Sequence, residues 1–87
     1  MYQFEFDENK SLSSLAKHGI DFVSAQQLWA DPNIVEVQAR STDEPRSLVV
    51  GMIEGKCWSA VITYHGDIVR IISVRRSRQT EVQLYES

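Results

Sequence analysis

The chain has 87 residues, a net charge of −3, 43% hydrophobic residues and 24% charged residues. This length and composition predict a single globular domain, residues 1–87, and exclude a disordered or repeat-built chain. The apolar runs are too short to span a membrane, and the start "MYQFEFDENK" lacks a basic segment followed by an apolar one. We therefore expect no membrane span and no secretory signal.

The first residues predict a strand followed by a helix. "YQFEF" at 2–6 alternates apolar and polar side chains, which is typical of a half-buried strand. Asp7 is a favourable N-cap for a helix over about 8–18, and Gly19 is suited to end it. Apolar residues on this helix have the spacing of a buried stripe: Leu12, Leu15 and Ala16.

A second helix is predicted between Asp21 and Pro32, because the residue before a proline disfavours helical geometry. Its predicted inward residues are Phe22, Ala25, Leu28 and Trp29. Four strands follow, at about 34–39, 46–53, 57–64 and 68–75, with tight turns at 54–56 and 65–67. A last helix is predicted at about 78–85, with Ser77 as its cap and with Val82 and Tyr85 facing the body. The order β-α-α-β-β-β-β-α predicts an α+β fold with two helices packed on one face of a mainly antiparallel sheet.

Positive charge is concentrated late in the chain. Residues 1–67 contain five Lys or Arg against ten Asp or Glu, whereas residues 68–80 contain four arginines and no acidic residue. An acidic body with one arginine-rich edge suits a phosphate-bearing ligand bound at one place. Arginines at a strand end can equally serve to keep an exposed edge soluble.

Signatures of cofactor and metal chemistry are missing. No glycine-rich phosphate loop is present, and Cys57, His18 and His65 lack the spacing of metal ligands. Cys57 is the only cysteine and lies in an apolar run, which predicts a buried thiol and is compatible with a reducing cytoplasm. We expect neither a metal nor another cofactor.

What remains is a set of cationic or proton-transferring side chains: Lys17, His18, Arg46, Tyr64, His65, Arg70, Arg75, Arg76 and Glu81. RNA cleavage needs little more, because the 2′-hydroxyl is an internal nucleophile. A protein must align it, help to remove its proton, neutralise the phosphorane and protonate the leaving oxygen.

Structural roles for the same side chains stay open. His18, like Lys17, lies at a helix C-terminus, where a cation is stabilised by about 0.3–1 kcal/mol without any catalytic role. Arg70 interrupts an apolar strand and could pair with Glu5. Arg46 could pair with Glu44 or Asp43, and His65 could simply be an exposed turn residue.

Several segments together resemble the BrnT family of ribonuclease toxins from type II toxin–antitoxin systems. The matching segments are "FEFD" at 4–7, Lys10, "KHGIDF" at 17–22, "DP" at 31–32, "EPR" at 44–46, "RIISVR" at 70–75, Glu81 and Tyr85. The chain departs from the family pattern at Ser14, where many members have Asn, and at His65, where many have Arg nearby. "SVR" at 73–75 replaces a commoner "SAR".

The resemblance implies a RelE-like fold and a metal-independent endoribonuclease that inhibits translation and growth. It implies a partner antitoxin of the BrnA type, whose ribbon-helix-helix domain binds operator DNA, so that this chain meets DNA only through that partner. On this interpretation His18 and Lys17 transfer protons, while Arg46, Arg70 and Arg75 bind the phosphate. Arg76 and Arg78 would guide the RNA backbone. The alternative is a binding module or corepressor of the same fold that has lost catalysis.

Overall fold

A computed structural model of the protein describes residues 2–39 and 44–87. Its elements in chain order are β1 Gln3–Phe6, α1 Glu8–His18, α2 Phe22–Ala25 with a 3₁₀ extension Gln26–Ala30, β2 Val35–Ala39, β3 Arg46–Ile53, β4 Lys56–His65, β5 Ile68–Arg76 and α3 Gln79–Glu86. The predicted α+β class and element order are confirmed. No helix in the described ranges is long and apolar enough to cross a membrane.

The five strands form one sheet in the order β1-β5-β4-β3-β2. β2, β3, β4 and β5 pair antiparallel in succession, whereas β1 pairs parallel with β5. The β3–β4 hairpin turns at Glu54 and Gly55, which both have positive φ (51° and 79°), as a tight two-residue hairpin requires. The β4–β5 ladder shifts register between Val61 and Ile62. Beyond this irregularity, the alternation of β5 side chains between the two faces of the sheet is shifted by one residue.

One face of the sheet carries the main core. The 3₁₀ extension and α2 bury Phe22, Ala25 and Leu28 there, as predicted, against strand residues such as Val49 and Ile71. Gly51 lies beneath Leu28: a Cβ atom at that position would come within 3.1 Å of Leu28 Cδ2. The glycine therefore lets the second helical segment lie close to β3.

The predicted buried stripe of α1 is wrong. Leu12 and Leu15 are 64% and 47% exposed, and Ala16 is exposed too, whereas Ser11 and Ser14 are buried. The Ser14 hydroxyl donates to the Val74 carbonyl at 3.4 Å, and the Ser11 hydroxyl accepts from the Phe22 N–H at 2.9 Å. Small hydroxyl side chains let α1 approach the backbone of β5 closely, and this tertiary contact decides which helix face is buried.

The third helix packs on the opposite face of the sheet. Ser59, which alternates with the core residues Trp58 and Ala60 on β4, donates to Glu81 of α3 at 2.9 Å. The predicted cap Ser77 is wrong, because the helix begins one residue later, after Arg78. Ser77 instead hydrogen-bonds the Ser59 hydroxyl at 2.8 Å, while the Arg78 N–H donates to Glu81 at 2.8 Å.

Candidate functional site

The sheet face opposite α1 and α2, here called the open face, carries most of the polar strand side chains. Glu5 alternates with Phe4 and Phe6, and Arg70 alternates with the buried Val69 and Ile71. Because successive strand side chains point to opposite faces, both polar residues lie away from the main core. The third helix covers only the part of this face near Ser59.

Arg46 and Arg70 lie in one row across the open face. Arg70 pairs with Glu5 on one side and with Thr63 on the other. Ser47 pairs with Ile62, so the next positions along, Arg46 and Thr63, are neighbours in the same row. The two arginine backbones flank β4 and are therefore about 10 Å apart.

Arg46 has unused hydrogen-bonding capacity. Its Nη2 lies 3.5 Å from Glu44, one of the two partners considered from the sequence; the other, Asp43, lies outside the described residues. Its Nε is enclosed and has no hydrogen-bond partner within residues 2–39 and 44–87, and its side chain is 40% exposed. It lines a groove of about 700 Å³ together with Thr63 and Tyr64. The Nε itself cannot be reached by a ligand, but the exposed part of the guanidinium is suited to receive an anionic one at the groove.

Tyr64, one of the candidate proton-transfer groups, is held at that groove by Glu36. The Tyr64 hydroxyl donates to the Glu36 carboxylate, and its oxygen lies 2.8 and 2.9 Å from the two carboxylate oxygens. Burial and the Glu36 hydrogen bond raise the pKa of Tyr64 to about 12. The phenol therefore stays protonated at neutral pH and is a poor proton acceptor.

Glu5 contacts two basic side chains, His65 and Arg70, at the other end of the row. Its Oε1 lies against His65 Nδ1 and 3.9 Å from Arg70 Nη1, so the Glu5–Arg70 pairing anticipated from the sequence is confirmed. This oxygen is enclosed, whereas the His65 side chain is 54% exposed. The imidazole thus stands at the surface of the open face beside Arg70.

Arg75 lies on the open face too, but Glu81 engages it fully. Its Nη1 and Nη2 donate to the two oxygens of Glu81 at 2.8 and 2.7 Å. The Arg75 hydrogen bonds, with help from Ser59 and the Arg78 N–H, lower the pKa of Glu81 to about 2 despite its burial. The pKa of Arg75 is raised by the same contact. This pair fastens α3 to the sheet, and while it holds, the Arg75 fork has no room for a phosphate.

Arg76 and Arg78 lie outside the row. The Arg76 guanidinium stacks over Trp58 at 5.4 Å from the ring centroid, on the core side of the sheet. Arg78 is exposed just before α3. Both remain accessible to solvent beyond the end of β5.

Lys17 and His18 lie in a different groove, between α1 and the second half of β5. This groove, about 220 Å³, is lined by Lys10, Ser13, Ser14, Lys17, His18, Phe22 and Ile72–Val74. Gly19 ends α1 at φ 78°, with Lys17 and His18 in the last turn, as the capping pattern predicts. No arginine lines the groove among the described residues, so the structure separates these two residues from the arginine row.

Asp31 and Tyr85, two further residues of the family pattern, form a structural link. Asp31 Oδ2 accepts from the Tyr85 hydroxyl at 2.6 Å and from the Met52 N–H at 2.8 Å. Burial alone would raise the pKa of Asp31. These two hydrogen bonds and a third from the Asn33 N–H have the larger, opposite effect, so the pKa of Asp31 is below its usual value. The link ties the second helical segment to β3 and α3.

The fold and this row define a small α+β protein with two arginines displayed on an open sheet face, a surface suited to a phosphate-bearing polymer. Within residues 2–39 and 44–87, no three His, Cys, Asp or Glu side chains cluster in a way that could hold a metal ion.

Residues 6–81 match the family model described as "Ribonuclease toxin, BrnT, of type II toxin-antitoxin system". The chain therefore belongs to this family of ribonuclease toxins. A comparison with curated proteins gives no significant match.

Proposed function

We propose that the protein is a cytoplasmic endoribonuclease that cleaves RNA without a metal ion, through attack by the 2′-hydroxyl, and so inhibits translation and growth. The observation that carries the proposal is the arginine row: Arg46 and Arg70 flank Thr63 on an open sheet face. The family to which the chain belongs supplies the substrate class, RNA.

Arg70 and Arg46 bind phosphate groups in this proposal. Arg70 is 35% exposed and approaches Glu5 at only one distant contact of 3.9 Å, so most of its donors remain available. Arg46 is 40% exposed and lines the groove, so its terminal nitrogens can reach a phosphate there. Two planar guanidinium groups can neutralise the charge that develops on a phosphorane, and arginine forks match phosphate oxygens better than a lysine ammonium does.

The contacts of the other candidate residues favour a role in RNA binding or cleavage to different degrees. Arg76 and Arg78 are accessible and can guide the RNA backbone beyond the row. Arg75 supports the site by holding α3 rather than by touching RNA, because Glu81 occupies its fork. His18 and Lys17 stay candidates for proton transfer only if RNA also enters the groove beside α1.

The partner in this proposal is a BrnA-like antitoxin with a ribbon-helix-helix domain. Its DNA-binding domain contacts the operator, and the toxin meets DNA only through it. The toxin–antitoxin family supports the existence of such a partner. The acidic composition of residues 1–67 is unfavourable for direct DNA binding.

The test compares Arg70→Ala, Arg70→Lys and Arg46→Ala with the parent protein, in cells and with purified RNA. We expect growth arrest from the parent alone and a loss of cleavage of roughly 10²-fold or more for Arg70→Ala, with Arg70→Lys restoring little. Lys56→Ala is the matched control, because Lys56 is an exposed cation at the β3–β4 turn. Circular dichroism verifies that each variant is folded.

Full cleavage by folded Arg70→Ala and Arg46→Ala proteins would remove the arginine row from the site. A parent protein that binds RNA without cutting it would instead favour the alternative, a binding module of the same fold.

A further inference from the structure

We propose that His65 is the general base of the cleavage reaction and that Glu5 is its positioning residue. This inference rests on the proposed function and names the proton-transfer group within the same site. It replaces His18, which lies in the groove beside α1, with a histidine that lies on the same sheet face as the phosphate-binding arginines.

The imidazole of His65 lies beside the arginine that binds phosphate. His65 shares its strand face with Thr63, two residues earlier on β4, and Thr63 pairs directly with Arg70. Glu5 contacts both His65 and Arg70 through one oxygen, Oε1. A phosphate held by Arg70 therefore brings its ribose next to His65.

Glu5 can also fix the orientation of the His65 ring. Glu5 Oε1 is enclosed, has no hydrogen-bond partner among the described residues and lies against His65 Nδ1, so an Nδ1–H of His65 is the donor best placed to satisfy it. An imidazole that donates from Nδ1 leaves its Nε2 lone pair free, and a fixed carboxylate partner sets both the tautomer and the direction of the ring. The side chain is 54% exposed, so Nε2 is open to a bound ligand.

The reaction then balances without a further reagent. Nε2 takes the proton of the 2′-hydroxyl while the O2′–P bond forms, and Arg70 neutralises the charge on the non-bridging oxygens. The P–O5′ bond breaks, its electron pair leaves with the 5′-oxygen, and that oxygen takes a proton from solvent water. The imidazolium formed beside Glu5 returns its proton to solvent, which regenerates the base.

The charged surroundings of His65 are few in the described part of the chain. They are Glu5 from β1, Arg70 from β5 and Asp67 in the adjoining turn. Glu5 is the group in contact with the ring, so its removal should leave the imidazole free to turn. A base that is held less firmly should lower kcat while KM stays close to that of the parent.

The experiment measures RNA cleavage from pH 5 to 9 by the purified full chain, with His65→Ala, His65→Gln, Glu5→Gln and His18→Ala as variants. We expect His65→Ala and His65→Gln to lower the rate by roughly 10²-fold or more and to lose the acidic limb. Added imidazole should restore part of the His65→Ala rate, because the exposed position leaves space for it, and should not affect His18→Ala. Glu5→Gln should lower kcat less than His65→Ala does and leave KM close to that of the parent.

A binding measurement separates proton transfer from affinity. A 2′-deoxy oligonucleotide, which cannot react, should bind His65→Ala as tightly as the parent and bind Arg70→Ala more weakly. If the parent cleaves RNA while His65→Ala and His65→Gln cleave equally well, the inference fails and the proposed function stands. If the parent cleaves no RNA at any pH, the proposed function fails and this inference fails with it.

Discussion

Replacing Glu81 by glutamine would test the ion pair that fastens α3 to the sheet. The substitution keeps the size of the side chain but removes the charge that both Arg75 nitrogens contact at 2.7–2.8 Å. It also weakens the acceptor for the Ser59 hydroxyl and the Arg78 N–H. We therefore expect a loss of global stability and a loosened third helix.

The magnitude follows from the pKa of Glu81, which folding lowers from 4.5 to about 2. Since one pKa unit corresponds to about 1.4 kcal/mol, the ionised carboxylate contributes about 3 kcal/mol to the free energy of unfolding at neutral pH. The folded-state pKa is the lower one, so this contribution is complete above about pH 5 and is lost as the pH falls towards 2. At pH 3 only about 1 kcal/mol of it should remain.

Urea unfolding at pH 7 and pH 3, followed by circular dichroism, measures this contribution. The parent should exceed Glu81→Gln by about 3 kcal/mol at pH 7 and by about 1 kcal/mol at pH 3. Glu86→Gln, at an exposed carboxylate on the same helix, is the control, and its free energy of unfolding should equal that of the parent at both pH values. A parent–variant difference that does not change with pH would refute the reasoning.

Three further predictions concern packing, anchoring and metal dependence. Ser14→Leu should destabilise the protein by about 1–3 kcal/mol, because α1 has no space for bulk against β5, whereas Leu12→Ser should change stability by less than about 0.5 kcal/mol in the same urea assay. Tyr85→Phe should lower the melting temperature and increase amide hydrogen exchange in α3, because Asp31 loses its donor there; unchanged exchange would contradict that anchoring role. RNA cleavage should persist in excess EDTA, and activity that a divalent ion restores after chelation would contradict the mechanism.

The strands and their order along the chain were readable from the sequence because alternation and glycine-containing turns are local signals. The first helix and its two caps were readable too, but its buried face was not, since two stripes on it have helical spacing. Leu12 and Leu15 are the apolar choice, yet the helix buries Ser11 and Ser14. Close approach to the Val74 carbonyl and the contact with the Phe22 N–H decided the outcome. Val74 is 60 residues from Ser14 along the chain, and the Phe22 N–H is reached only because the chain turns after α1.

One feature of the candidate site, the shared face of the strand arginines, was readable from the alternation along the strands. Arg46, Arg70 and Arg75 do share the open face, because their strand positions alternate with core residues. Which of these guanidinium groups is free to bind a ligand could not be predicted from the sequence. Only the packing of α3 shows that Arg75 donates its hydrogen bonds to Glu81. The contact between Glu5 and His65 depends on the parallel pairing of β1 with β5, which joins the two ends of the chain. The sequence signals for this contact were the histidine itself, its departure from the family pattern and the anticipated pairing of Arg70 with Glu5.

The most direct test of the central claim is the chemistry of the cut, read by mass spectrometry on a defined RNA oligonucleotide incubated with the purified protein in EDTA. The account predicts a 5′ fragment ending in a 2′,3′-cyclic phosphate and a 3′ fragment beginning with a 5′-hydroxyl. A single 2′-deoxy substitution at the cleaved nucleotide should abolish that cut. A fragment that begins with a 5′-phosphate, or cleavage that survives the 2′-deoxy substitution, would contradict attack by the 2′-hydroxyl on a phosphate bound at the arginine row.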